Sequence, residues 1–298
     1  MQNKTEHINE PKNYYVPASS IWPLVGAVAL FIIAIGAATT VRLSASEGTN
    51  SGIPILLTGM AILTFMLIGW FRNVIKESMS GLYNKQLNRS FQLGMLWFIF
   101  SEVMFFVALF AVLFYLRNLS IPWLGGEGNN AMTHAIIWSD FIPKWPLTIT
   151  PDGRQTEAMA WYGLPLLNTV ILVSSSITLH FAHHYLIAEQ RAKLTLMLAV
   201  TVALGAAFIF FQAEEYIHAY QELALRFDSG VYGNTFYLLT GFHGLHVTLG
   251  VIMLTVMLFR IVNGHFTPAK HFAFEASAWY WHFVDLVWII LFLFVYVI

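Results

Sequence analysis

The sequence predicts an all-α membrane protein with seven transmembrane helices. Apolar residues make up 57% of the 298 and charged residues only 10%, where soluble domains average about 25% charged. Mean hydropathy is +0.64. The apolar residues also gather into seven runs of the length, about 20 residues, that a helix needs to cross the hydrocarbon core. The runs are 22–41, 53–71, 91–116, 161–187, 194–216, 233–259 and 276–298.

Taken in order, the chain opens on a polar stretch of about twenty residues, MQNKTEHINEPKNYYVPASSI. A cleaved signal peptide places its apolar region much earlier, so residues 1–21 read as a cytoplasmic tail. The first run, 22–41, has no charge inside it. The second ends in GWFRNVIKESMSG, which sets Trp70, Arg72, Lys76 and Glu77 at an interface. Cationic side chains there suit anionic lipid headgroups. They equally satisfy the preference for positive charge on the inside with no further role.

The third run carries Glu102 as its one carboxylate, about eleven residues in. At 1.5 Å per residue that is roughly 16 Å deep, near mid-bilayer. An ionisable group there is expensive and usually faces protein or water. Glu102 therefore reads as a proton-exchangeable group or a buried acid facing a cleft. The plainer alternative is a protonated glutamate bonded to a neighbouring helix. The long loop from 117 to 160 holds Pro122, Pro143, Pro146 and Pro151, a density that argues against long helices. Its Trp123, Trp138 and Trp145 suggest a loop lying on the membrane interface or against a partner.

The fourth run clusters His180, His183 and His184 near its inner end. The fifth ends with Glu214, Glu215 and His218, read as a solvated interfacial cluster with a subunit contact as the sharper alternative. The sixth places His243 and His246 three residues apart, on one helix face. Gly241, Gly244 and Gly250 beside them let another helix approach. The seventh repeats that spacing with His282 and Asp285, and Glu275 stands just before it. Imidazoles on facing helices could ligate iron or copper. The adjacent pair His183 and His184 suits that poorly, because neighbouring residues point apart. Interhelical hydrogen bonding, with a carboxylate fixing each ring's tautomer, is the favoured reading.

With the N-terminus inside, the inner segments hold ten Lys and Arg and the outer segments five, together the chain's 15. That bias predicts a cytoplasmic N-terminus and a C-terminus on the far side. Cysteine is absent, which excludes disulfides, thiolate metal centres, iron–sulfur clusters and covalently attached haem. No basic patch suggests nucleic acid. No Walker, nucleophile-elbow, H-E-x-x-H or dinucleotide-binding pattern occurs.

Several blocks resemble subunit III of the haem–copper cytochrome c oxidases. The most specific are HFTPAKHFAFEASAWYWHFVDLVWIILF (265–292) and DSGVYGNTFYLLTGFHGLHVTLG (228–250). FIFSEVMFF (98–106), LPLLNTVIL (164–172), HFAHH (180–184), QAEEY (212–216) and YYVPASSIWPLVGA (14–27) follow that family's order. The resemblance implies a V-shaped bundle of two plus five helices within one membrane domain, 1–298. Its parts would be a two-helix arm at 22–71, a cytoplasmic linker at 72–90, and a five-helix arm at 91–298 with a periplasmic loop at 117–160. It implies a non-catalytic chain packed on oxidase subunit I, beside subunit II and possible small subunits, in a bacterial inner membrane. The complex takes electrons from cytochrome c, reduces dioxygen to water and pumps protons.

The resemblance also places haem and copper in the partner subunits and leaves this chain with bound phospholipids only. The chain would support proton uptake and protect the complex during turnover. Glu102 matches the family's intramembrane acid at the cleft. Trp70, Lys76, Glu77, Arg260 and His271 match its lipid-headgroup contacts, and His243, His246, His282 and Asp285 are expected as interhelical polar groups. The chain departs from the family with Phe71, Asn73 and Lys76 where Trp, Asp and Arg are common. Two other readings remain. One is the corresponding subunit of a quinol oxidase or nitric oxide reductase, which the first two apolar runs oppose. The other is a self-contained transporter or proton channel, which predicts an inverted repeat that the sequence lacks.

Overall fold

A computed structural model describes residues 15–44 and 52–298. Most of the expected cytoplasmic tail, with Lys4 and Lys12, lies outside the described residues. Seven helices among those residues are long and apolar enough to cross a membrane. They are α1 (Trp22–Ser44), α2 (Gly52–Met79), α3 (Lys85–Tyr115), α6 (Leu164–Ile187), α7 (Arg191–Gln221), α8 (Val231–Val262) and α9 (Phe272–Leu291). Two short helices, α4 (Ile121–Leu124) and α5 (Ala131–Ile137), stand between α3 and α6. No strand occurs among the described residues, only two isolated bridges. The chain is therefore a nearly all-helical polytopic membrane protein.

The described chain divides into two compact units, one reaching Phe91 and one beginning at Gln92. In the first, α1 and α2 pack as an antiparallel pair. Close approach depends on small residues: a Cβ on Gly36 would stand 2.4 Å from the Leu56 backbone nitrogen. Between lipid tails there is no hydrophobic drive to pair helices, so such backbone proximity and its dispersion contacts supply the association. After α2, the Tyr83 hydroxyl donates to Glu77 Oε2 at 3.1 Å and approaches Val74 O at 3.3 Å. Burial, and then the bond to Glu77, pushes the Tyr83 hydroxyl above the ordinary tyrosine range.

The second unit is organised around α9, the most buried of the seven spans. Trp281 is fully buried. A Cβ on Gly205 of α7 would lie 2.6 Å from its ring, and one on Gly250 of α8 would lie 2.8 Å away. The two glycines thus make room for the indole, whose Nε1 donates to Ser175 Oγ of α6 at 2.9 Å. Trp288 donates similarly to Thr169 Oγ1 at 3.0 Å. Two tryptophans of one helix therefore fasten α6, α7 and α8 together. At Gly244 nothing among the described residues lies within 4 Å of where its Cβ would be.

Two helices begin well before their hydropathy runs. The third helix starts at Lys85 and the fifth at Arg191, because long basic side chains continue a helix beyond the hydrocarbon and keep their charge in the headgroup layer. Helical structure also continues past residue 117, beyond the end of α3 at Tyr115. A π-helical turn over Leu116–Ser120 leads directly into α4, so the irregular part of the outer loop begins near Gly125. That loop is stitched to its own unit. Glu157 N donates to Leu223 O at 2.9 Å, Met159 N to the Tyr232 hydroxyl at 3.1 Å, and Arg154 Nη1 to Asp228 O at 2.9 Å. Trp145 stacks edge-on against Tyr232. Trp123 stays 43% exposed.

Candidate functional site

Glu102 and His246 meet between α3 and α8. The Oε2 of Glu102 lies 2.8 Å from Nε2 of His246. Each residue reaches this point from the middle of a long apolar helix, where the helical backbone consumes its own polar groups and only side chains can bond sideways. Phe105, Phe106 and Tyr280 surround the imidazole, at centroid separations of 6.1, 5.0 and 6.5 Å. The wall is aromatic on three sides. The pair is still reachable, since the Glu102 side chain is 24% exposed and that of His246 10%.

The second ring nitrogen fixes the proton count. His246 Nδ1 lies 2.6 Å from the carbonyl oxygen of Phe242. A carbonyl only accepts, so Nδ1 carries a hydrogen. The short Nε2–Oε2 contact then needs one more proton between its atoms. Either the carboxyl donates to a neutral ring, or an imidazolium donates to a carboxylate. Both forms are neutral overall, and they differ by moving one proton across 2.8 Å. An overall neutral pair is what a low-dielectric layer tolerates.

The other histidines behave differently. His243 is fully buried, and its Nε2 donates to the Val284 carbonyl at 3.2 Å. Among the described residues the expected carboxylate partner therefore exists for His246 and not for His243, whose Nδ1 has no hydrogen-bond partner there. His282 Nδ1 lies 2.7 Å from Ser176 Oγ and 3.8 Å from Asp285 Oδ2, the latter beyond hydrogen-bond distance. His183 meets His271, with Nε2 atoms 3.5 Å apart and ring centroids 5.5 Å apart.

Of the expected headgroup residues, Trp70 is 49% exposed and stacks on Phe71. Lys76 is exposed, while Glu77 is engaged by Tyr83. Arg260 is buried with its guanidinium 4.4 Å from the centre of the Phe266 ring, and its Nε has no hydrogen-bond partner among the described residues. His271 is half-buried against His183.

The cluster ending α7 corrects the sequence reading. Glu215 is fully buried, not solvated, and its Oε1 accepts the Tyr296 hydroxyl at 2.6 Å. His218 pairs with Glu222 at 3.1 Å rather than with Glu214 or Glu215. The signal that could have found this was spacing: Phe208, Gln212, Glu215 and Ala219 are all buried, on one face of α7. Among the described residues no three His, Asp or Glu side chains come together as a metal-holding group.

The sequence pattern of the family described as cytochrome c oxidase subunit III matches residues 12–127 and 130–298. "Cytochrome c oxidase subunit 3" of Danio rerio is 37% identical over 284 residues, covering 95% of this chain and 96% of that protein. The protein of the same description from Latimeria chalumnae is 38% identical over 285 residues, with 95% and 96% covered. That of Pongo pygmaeus is 35% identical over 291 residues, with 97% and 98% covered.

Proposed function

The chain belongs to the cytochrome c oxidase subunit III family, and from that membership we propose that it is the non-catalytic flank of a proton-pumping terminal oxidase. It packs on subunit I near subunit II, in a respiratory membrane of bacterial inner-membrane type with its N-terminus inside. Haem and copper reside in those partners. Phospholipids are held at the inner interface by Trp70, Lys76 and Glu77, and by Arg260 and His271. The chain supports proton uptake into subunit I and protects the complex during turnover.

The observation that carries this reading is the Glu102–His246 contact at 2.8 Å. A carboxyl and an imidazole that share one proton, a quarter open at the glutamate, form a store that can pass a proton without exposing net charge to lipid. No redox role is needed for that work.

Glu102→Gln tests it. Glutamine can still donate an N–H to His246 Nε2, so the hydrogen bond and assembly are retained. It cannot release a proton. In the purified oxidase, proton uptake slows and inactivation during turnover comes sooner. Uptake and inactivation rates matching the wild type would remove Glu102 from the mechanism.

A further inference from the structure

A pair of histidines stands apart from the proton-sharing site, where α6 ends and α9 begins. His183 is the twentieth of the 24 residues of α6, and His271 is the N-cap of α9. Both rings are half-buried, and Phe274 lies against His183 at a centroid separation of 5.8 Å. Their Nε2 atoms face each other 3.5 Å apart. That is long for a bond donated by N–H, which favours about 2.9–3.0 Å to an oxygen. His271 Nδ1 is buried with no hydrogen-bond partner among the described residues. Neither nitrogen of His271 therefore has a hydrogen bond of good length.

The separation suits a shared ion. Two zinc–nitrogen bonds of about 2.0–2.1 Å meeting at the tetrahedral angle hold their nitrogens about 3.3–3.4 Å apart. The 3.5 Å between these two atoms is within ~0.2 Å of that, the tolerance expected of a real site. Imidazole nitrogens are good ligands for zinc and its neighbouring divalent transition metals. Glu275 stands one helical turn beyond His271, so its carboxylate lies on the same side of α9 and offsets part of a cation's charge. His183 lies only about 6 Å from the end of its span at 1.5 Å per residue, in the layer where headgroups and water replace acyl chains. Water can therefore take the positions that two histidines leave open, as it does at open zinc sites.

We propose that His183 and His271 form a binding site for a divalent transition-metal ion of the zinc type, held between their Nε2 atoms with Glu275 beside it and water completing the shell. The ion pins the start of α9 to the end of α6. Any headgroup contact of His271 then runs through the ion, since its Nδ1 is buried. The site stands on the geometry of the two rings and does not depend on the oxidase reading.

The test uses the purified complex, stripped by chelator and then loaded with zinc chloride. Anomalous diffraction at the zinc edge is expected to show a peak between the two rings in wild-type crystals, a readout that needs no variant to fold. Equilibrium dialysis is expected to show one zinc ion fewer per complex in His183→Ala and in His271→Ala. The double variant loses no more, because both rings hold the same ion. Glu275→Gln keeps the ion and weakens its binding about ten- to a hundred-fold, as loss of an outer-shell carboxylate does. No peak between the rings of the zinc-loaded wild type, or wild-type zinc content in either histidine variant, would overturn the site.

Discussion

Tyr296 donates its hydroxyl hydrogen to Glu215 across 2.6 Å, with both residues buried. The bond ties the π-helical end of the chain, Phe292–Val297, to α7. The other glutamate oxygen has no hydrogen-bond partner among the described residues. Removing that bond takes from Glu215 its one hydrogen bond of good geometry among the described residues.

Tyr296→Phe is expected to destabilise the five-helix unit by about 1–3 kcal/mol, the usual cost of orphaning a buried polar group. Thermal unfolding of the detergent-solubilised chain measures it. The same substitution combined with Glu215→Leu recovers most of the loss, because both polar partners are then gone. A double variant no better than the single one contradicts this account of the contact.

Gly205 and Gly244 make a matched pair of tests. At Gly205 an added Cβ meets the Trp281 ring at 2.6 Å and Val251 at 2.7 Å, whereas at Gly244 nothing lies within 4 Å. Gly205→Ala overpacks a closed site and costs about 1–3 kcal/mol. Gly244→Ala is neutral or gains up to ~1 kcal/mol from helix propensity. Unfolding midpoints of the two variants check the contrast.

Asp152 gives a pH dependence outside the membrane. The Thr150 hydroxyl donates to its carboxylate, and Arg154 Nε lies 3.1 Å from it. The hydrogen bond from Thr150, with help from Arg154, holds the carboxyl below its ordinary value of 3.8. A depressed carboxyl stabilises the turn above the unfolded value, and that support is lost as pH falls through the native one. The Gly153 amide bonded to Thr150 O should exchange faster, after correction for the intrinsic rate, as pH drops below about 4. Asp152→Asn should exchange fast on both sides of that value.

Seven spans were legible because runs of apolar residues long enough to cross a bilayer have few other uses. Glu102 was legible as the lone acid in such a run. Its partner was not separable from sequence. His243 and His246 are three residues apart, which leaves them about 60° apart around the helix. That offset is enough to send one to the Val284 carbonyl in the core and the other to Glu102. Glu215 was misread because nearness to a helix end suggested solvent. Its neighbour in space, Tyr296, lies 81 positions away, where no local pattern could announce it.

The most direct test of the shared proton is the infrared spectrum of the assembled oxidase in its carboxyl and imidazole regions, compared among wild type, Glu102→Gln and His246→Asn. The pair predicts a signal that disappears in Glu102→Gln and shifts in His246→Asn, with both changes following hydrogen–deuterium exchange. A Glu102 signal that ignores the loss of His246 would contradict the account.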